Sequence, residues 1–545
     1  MNDTKYTIGM DLGTDSARAV LYEAAGPQAG REISVCTCPY PRWSQGLYCD
    51  PSEARFRQHP LDYLESVETV LKGVIAECPD KDSIVAIAAD TTGSTPCLID
   101  GNLTPLCLKP GHEDDPDAMF ILWKDHTGEA ESQEINALLP RFEVNYADHS
   151  GKLYGPENFW SKMLHVLRRS PGLREDAYAA IELCDYIPAV LTGCRSVGEL
   201  KMGHAVAQGK WMWSERWGGY PPEDFFNALD PVLVPFLRRL PKKNHPCQEA
   251  AGTLCPEWAE KLGLSERVFV GVGNIDSYSG ALGAGAAPGK MIMNLGTSAC
   301  FMNVVPDEVI LGRIVPGVFG QVNGMILPGC DGFETGLSAY GDAFAWFKRL
   351  LGWPLEKFLP ESERASAMDK MLSLLNEEAA KVVPDPDAPL ATDHLNGRRT
   401  PYLNSSLSAS FSGLKLSTTA PELYYALVES TAFATRAIID HMESHGVPVE
   451  ELVAVGGVSR KSPFAMQMLA DVTGRRIDVS AAMNAGTAGA ALNGAVIAGL
   501  YPDVASAQKA ICPPVMKSFE PDASKAGLFE KRYGRYIETV KFNER

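Results

Sequence analysis

Ile8-Gly9-Met10-Asp11-Leu12-Gly13-Thr14-Asp15-Ser16 carries an apolar segment into a run of small polar residues, and residues 18–22 resume an apolar run. Two short apolar stretches around Asp, Gly and hydroxyl residues predict a β-hairpin whose tip has little side-chain bulk. The device returns far downstream. Met291-Ile292-Met293-Asn294-Leu295-Gly296-Thr297-Ser298-Ala299 runs an apolar strand into Asn-Leu-Gly-Thr-Ser, and residues 300–305 supply the second strand. An echo at this distance predicts a duplicated domain with the two tips facing one another. Gly lets backbone N–H groups approach a phosphate, and Thr and Ser hydroxyls add donors. An Asp at the end of a buried strand can hold Mg²⁺, directly or through water. Two ordinary β-turns are the plainer reading of either stretch alone.

The chain has 545 residues, too many for one core, so two large domains are expected, at 1–287 and 288–545, with insertions in the first at about 109–248. The formal net charge of −18 argues against nucleic acid as a partner, but leaves room for ATP at a site built from backbone dipoles and Mg²⁺. The 13 Cys are scattered without metal or redox spacing and read as free thiols of a reducing cytoplasm. The N-terminus is charged and lacks a long apolar run, so no signal peptide is expected. The most apolar late stretch, 485–500, is rich in Ala and Gly and broken by Asn493; it reads as a packed helix, not a membrane span.

The pattern between the echoes is α/β. Residues 60–77 have a helical apolar period, and 84–89 form a buried strand that ends in Asp90-Thr91-Thr92-Gly93-Ser94-Thr95. Residues 97–100 resume the sheet. A further strand, 268–273, leads to Asn274-Ile275-Asp276. In the second half a helix at 421–446 precedes a strand that ends in Gly456-Gly457, then a helix at 463–472 and a strand at 476–479. In such folds ligands collect at the carboxyl ends of strands.

Asp276 follows a buried strand in a Gly-rich setting. It reads either as the carboxylate that takes a hydroxyl proton during phosphoryl transfer or as the cap of the helix beginning near Ser277. Gly456-Gly457 permits close approach to a nucleotide, or is simply a tight strand-to-helix turn. Neither a dinucleotide fingerprint nor a Walker loop is present. Trp123-Lys124-Asp125-His126-Thr127 gathers a stacking surface, charges and a hydroxyl, which suits a polyhydroxylated substrate. Asp331-Gly332-Phe333-Glu334-Thr335-Gly336 reads as an acidic turn whose Glu334 either accepts from sugar hydroxyls or is solvated.

Taken together, the paired hairpins, Gly456-Gly457 and the Gly273, Asp276, Gly280, Gly283 pattern resemble the FGGY carbohydrate kinases. Within that family the Trp123-to-Thr127 string, Tyr40-Pro41-Arg42-Trp43, Thr92-Gly93-Ser94-Thr95-Pro96 and Asn396-Gly397-Arg398-Arg399-Thr400-Pro401 are most similar to the ribulose-phosphorylating branch. The resemblance implies two duplicated domains of the actin/hexokinase-like (ribonuclease H-like) ATPase fold with an inter-domain cleft. It implies ATP-dependent, Mg²⁺-dependent phosphorylation of L-ribulose at the 5-hydroxyl. Asp276 is then the base, with Trp123, Lys201, Glu334, Thr92 and Asp125 around the sugar. Asp11 places Mg²⁺. Gly13, Thr14, Asp15 and Ser16 of one tip and Gly296, Thr297 and Ser298 of the other grip phosphates, while Gly456, Gly457 and Arg460 lie along the nucleotide. A cytoplasmic homodimer is expected, with no nucleic-acid or membrane partner. The alternatives are a kinase for another ketopentose or polyol, such as xylulose or ribitol, and a non-catalytic actin-like ATPase.

Overall fold

The first hairpin forms where its pattern places it. In a computed structural model, which describes residues 4–545, β1 (Lys5–Leu12) and β2 (Ser16–Ala25) pair antiparallel, with Asp11 opposite Arg18 and Leu12 opposite Ala17. β3 (Glu32–Pro39) continues the meander beside β2. α1 (Pro60–Ala76) buries Val67, Val70, Leu71 and Val74 on one face. It opens on a proline, whose missing N–H is not needed in a first turn. β4 (Ile84–Thr91) returns parallel to β1 and sets Asp90 beside Asp11.

The next strand departs from the sequence pattern. β5 (Pro96–Ile99) does not rejoin the main sheet; it pairs antiparallel with β6 (Ala179–Glu182). The insertion also supplies α2 (Phe159–Arg169), α3 (Leu183–Thr192) and α4 (His204–Trp211). β7 (Ala250–Thr253), β8 (Phe269–Gly271) and β9 (Asn274–Ile275) complete a seven-stranded sheet in the order β7-β8-β4-β1-β2-β3. In it β9 pairs with β4 beyond the end of β8. α5 (Asp276–Gly283) starts directly at the end of β9.

The second half repeats the succession. β10 (Lys290–Leu295) and β11 (Ala299–Pro306) form a hairpin with Leu295 opposite Ala299. β12 (Gly320–Asn323) and β13 (Cys330–Leu337) follow, then α6 (Ala420–Ser444), whose Thr419 and Glu422 form a capping box. β14 (Glu451–Val455) lies parallel to β10 as β4 lies parallel to β1. α7 (Gly457–Lys461), α8 (Pro463–Thr473) and β15 (Ile477–Ser480) precede α9 (Ala485–Ile497). β16 (Val515–Phe519) and α10 (Ala526–Asn543) end the chain. The second sheet runs β12-β13-β11-β10-β14-β15-β16.

The chain does not divide into two contiguous halves. One unit comprises the residues up to Gly285 together with Gln321–Gly332 and Asn484–Pro513. The other comprises Ala286–Gly320, Phe333–Met483 and Pro514–Arg545. The first change of unit falls at Gly285/Ala286, and α9, placed by sequence in the second domain, belongs to the first unit. The reason is steric. A Cβ at Gly9 would stand 1.9 Å from Thr487 O, one at Gly283 2.1 Å from Ala485 O, and one at Gly489 1.9 Å from Ser279 O. Backbone meets backbone at all three, so α9 seats on β1 and α5 at a distance no side chain permits. Within the second unit, Arg532 on α10 reaches Glu429 on α6 through two bonds of 2.6 Å, both groups fully buried.

All 13 cysteines are free thiols. No helix among the described residues is long and apolar enough to cross a membrane.

Gly489→Ala is expected to cost about 3 kcal/mol or more, the upper end for overpacking because the obstacle is backbone. It should also lower turnover, since α5 carries Asp276. Gly527→Ala, an exposed position of α10 with open space around it, should leave both unchanged. Thermal melts and a kinase assay on the two variants check this.

Candidate active site

The first hairpin tip is held from every side. Gly13 N–H closes it on Ser16 O at 3.1 Å, and Tyr40 N–H donates to Asp15 O at 3.1 Å. Gln58 Nε2 donates to Thr14 O at 2.7 Å. Two indoles fix the side chains: Trp123 Nε1 donates to Thr14 Oγ1 at 3.1 Å, and Trp43 Nε1 donates to Asp15 Oδ1 at 2.7 Å. The Lys124 ammonium lies over the Trp43 and Phe56 rings, 5.0 and 4.7 Å from their centroids. Trp123 itself is 36 % exposed, so its ring is free to take a ligand while its N–H serves the tip.

Behind the tip three carboxylates converge. Register places Asp90 beside Asp11 on adjacent parallel strands, and β9, paired with β4 at Asp90 and Thr91, ends one residue before Asp276. Asp90 is 0 % exposed and neither oxygen has a hydrogen-bond partner. Burial pushes its carboxyl well above the usual range, and the Asp11 and Asp276 charges push the same way. Burial also raises Asp11, against the pull of Arg18. Asp276 is the first residue of α5 and accepts Ser277 N–H at 2.6 Å. The helix begins at Asp276 itself with Ile275 in the N-cap position, so Asp276 is not its cap.

The strand ending in Asp276 is fixed from behind. A Cβ at Gly273 would lie 1.8 Å from Cys184 O, and one at Gly93 would lie 2.8 Å from the Ile275 side chain. Beside Cys184, Asp185 accepts Gly203 N–H at 2.7 Å and thereby anchors the start of α4. Burial pushes the Asp185 carboxyl up to about 8.

Several expected sugar contacts resolve differently. Thr92 lies in the turn after β4 with its hydroxyl 2.9 Å from that of Thr95. Asp125 is buried and spent on structure: it pairs with Arg57, accepts Phe56 N–H at 2.7 Å and takes Thr127 N–H and hydroxyl at 3.1 and 2.6 Å. No free carboxylate remains there for a sugar. Lys201 donates its ammonium to Ala250 O at 2.5 Å.

In the second unit the tip is closed by Gly296 N–H on Ser298 O at 3.0 Å, and its carbonyls are taken by the N–H groups of Tyr340, Gly341 and Asp342. Gly456 has φ of 92°, and a Cβ there would meet Asn294 Oδ1 and Leu295 O at 2.8 Å. The Gly-Gly turn thus lies against the base of the hairpin, and α7 begins at Gly457. Arg460 gives its guanidinium to Ser480 O and Ala482 O, which makes it a clamp on the backbone. Glu334 is no solvated turn residue: it sits inside β13, buried, 3.4 Å from Arg399 Nη2 and 3.5 Å from Cys300 Sγ.

The model of the FGGY family of carbohydrate kinases, C-terminal domain, matches residues 291–498. A ribulokinase of Vibrio parahaemolyticus is 39% identical over 98% of this chain and 95% of its own length. One of Halalkalibacterium halodurans is 34% identical over 98% and 94%. The chain belongs to the FGGY family of carbohydrate kinases. Its fold is shared by the xylulose kinase of Rhodospirillum rubrum, with TM-score 0.80, 21% identity and coverage of 99% of this chain and 100% of that one. The Plasmodium falciparum glycerol kinase solved with ADP gives 0.74 at 15% identity, over 98% of each chain. This FGGY kinase also has two charged residues near Asp276 and its helix that sequence reading passed over. Asp90 had a signal, since it ends a parallel strand as Asp11 ends its own. Lys210, 3 % exposed on α4, follows Gly209, which lies against the Tyr278 hydroxyl on α5. A lysine so placed is visible only once α4 is packed.

Asp185 gives the kinase a pH signature. The folded chain keeps this proton up to about pH 8, whereas the unfolded chain releases it near pH 4. Its contribution favours folding at low pH and is lost as pH rises between those values. Asp185→Asn keeps an acceptor for Gly203 N–H, so stability should fall less from pH 5 to pH 8 than in the parent, read by denaturant midpoints at both pH values.

Proposed function

We propose that this kinase transfers the γ-phosphoryl group of ATP to the 5-hydroxyl of L-ribulose, with D-ribulose a further acceptor, giving ribulose 5-phosphate for L-arabinose catabolism. The observation that carries the chemistry is the convergence of Asp276 with Asp11 and Asp90 behind the first hairpin tip. The choice of sugar rests on curated relatives named ribulokinase that match nearly the whole chain.

In this reading the first unit holds the sugar, with Trp123 stacking on it and the Thr92 turn bounding it. Lys210 is the better candidate for a cationic contact than Lys201. Asp276 accepts the proton of the 5-hydroxyl as its oxygen bonds to the γ-phosphorus, and the bond from that phosphorus to the β–γ bridging oxygen breaks to release ADP. Gly13, Thr14, Asp15 and Ser16 of the first unit, and Gly296, Thr297 and Ser298 of the second, are the phosphate-binding residues in this reading. Gly456 and Gly457 flank the adenosine.

The residues fit Mg²⁺. No group of three or more Asp, Glu, His or Cys forms a ready cage among the described residues. Mg²⁺ does not need one, because it keeps most of its waters and takes one or two carboxylates. Asp11 would hold it, with the unpartnered Asp90 oxygens next to it. Bound there, it supplies neutralisation of charge on the phosphoryl group. The free thiols and acidic surface suit a cytoplasmic enzyme, and a homodimer is the commonest state for one.

ADP release from Mg-ATP across L-ribulose, D-ribulose, xylulose, ribitol and glycerol tests the substrate. Turnover concentrated on the ribuloses is expected; a preference for xylulose or ribitol overturns the sugar assignment. Asp276→Asn should lower kcat by about 10²–10⁴-fold, the range for a lost general base, with KM for ribulose changed little. Near-normal kcat would sink the base assignment. Trp123→Phe keeps the stacking face and deletes the bond to Thr14. It should raise KM for ATP by about 2–10-fold, the worth of one hydrogen bond.

A further inference from the structure

α2 is buried along nearly its whole length, and its sequence Phe159-Trp160-Ser161-Lys162-Met163-Leu164 places a cation in the middle of that buried run. Lys162 is 1 % exposed. Its ammonium has three N–H groups and meets three carbonyls: Ser94 O at 2.7 Å, Leu122 O at 3.0 Å and Ile121 O at 3.4 Å. Glu182, at the end of β6, is 0 % exposed. Its carboxylate accepts the Ser94 hydroxyl, Thr95 N–H at 2.6 Å and Trp211 Nε1–H at 2.8 Å. Ser94 therefore sits between the two charges, its carbonyl on the lysine and its hydroxyl on the glutamate.

What these two groups hold is specific. Ser94 and Thr95 continue the Thr92–Gly93 turn. Leu122 immediately precedes Trp123. Trp211 closes α4, immediately after Lys210. Each of the three segments comes from a different part of the chain, and Lys162 and Glu182 link them through Ser94. A buried charge gives up its hydration, so neutral side chains would join the segments at lower cost if joining were all that mattered. An ammonium with all three donors used and a carboxylate with three donors aimed at it instead fix direction as well as distance.

We propose that Lys162 and Glu182 are positioning residues for the sugar: together they set the spacing between the Thr92–Thr95 turn, Trp123 and the end of α4, and so the fit for ribulose, without touching it. This rests on the reading of the Thr92 turn and Trp123 as the sugar wall.

Burial pulls the Lys162 ammonium down to about 8. The charged groups that act on it are Asp125, Glu182 and Glu157, which favour its charged form, and Arg57, which opposes it. Above that pH the amine keeps two N–H groups for three carbonyls, and one segment loses its tether.

The experiment measures KM for ribulose and for ATP separately, in the native enzyme from pH 7 to 9.5 and in three variants. Lys162→Met with Glu182→Gln removes both charges and leaves no lone buried ion. Glu182→Gln alone keeps the shape. The double variant is expected to raise KM for ribulose on the order of ten-fold or more, as misplaced binding groups do, with KM for ATP within about two-fold. In the native enzyme KM for ribulose should climb above pH 8 while KM for ATP stays level, and in the double variant that climb should be absent. Trp123→Ala is the control for the wall itself. If Trp123→Ala raises KM for ribulose but the folded Lys162 and Glu182 variants do not, the positioning proposal fails and the wall stands. If Trp123→Ala has no effect, the wall reading fails first. Should the double variant not fold, a level native pH profile together with an unchanged Glu182→Gln overturns the proposal, and a rising profile with a raised KM in Glu182→Gln supports it.

Discussion

The closeness of α9 to β1 and α5 is the constraint on which the site depends. Three glycines, Gly9, Gly283 and Gly489, let backbone carbonyls come within about 2 Å of where a Cβ would stand. Because α9 presses on both β1 and α5, it fixes the strand that ends in Asp11 against the helix that begins with Asp276. A Cβ at Gly486 of the same helix would stand 3.3 Å from Asp90 Oδ1 and 3.4 Å from Asp11 Oδ2. A single larger residue at this crossing separates the elements that carry the acids. The small-residue composition of 485–500 is thus a packing requirement of the first unit, met by chain from far along the sequence.

Duplication built the frame, and substitution differentiated it. Both hairpins close on a Leu–Ala pair, Leu12 with Ala17 and Leu295 with Ala299, the second tip being one residue shorter; counted from the leucines, Asp11 corresponds to Asn294 and Asp90 to Val455. One unit keeps a pair of carboxylates at this corner; the other replaces them with an amide and an aliphatic side chain. A neutral corner repels an anion less than an acidic one does. The same backbone device therefore holds different chemistry in each unit, as expected when function resides in grafted side chains and not in the fold.

Much of the fold was legible because periodicity survives folding. The helix at 60–77, the strand at 84–89 and the strand into Gly456-Gly457 match α1, β4 and β14 within a few residues. The misreadings share a cause: they required partners distant in sequence. Residues 97–100 looked like more of the first sheet, yet β5 pairs with β6, which lies far ahead in the insertion. Glu334 looked like part of a turn because Asp331 and its glycines are polar, but the segment is a strand covered by neighbours such as Cys300 and Arg399. Asp125 and Lys201 carried the chemistry of a site and turned out to be committed, one to Arg57 and backbone N–H groups, the other to Ala250 O.

The sequence by itself determined the local devices: hairpins with bare tips, an Asp at the end of a buried strand, glycines where backbone must approach, and the Trp123-to-Thr127 string. These are set by residue type over a few positions, where φ/ψ limits and hydrophobic alternation leave little choice. Tertiary structure alone decided which charges are available. Asp90 became a partnerless carboxyl because register set it against Asp11, and Lys162 and Glu182 became buried anchors because α2 and β6 close around Ser94. Availability of a charge depends on desolvation and on partners brought from elsewhere in the chain, and neither is written at the position itself.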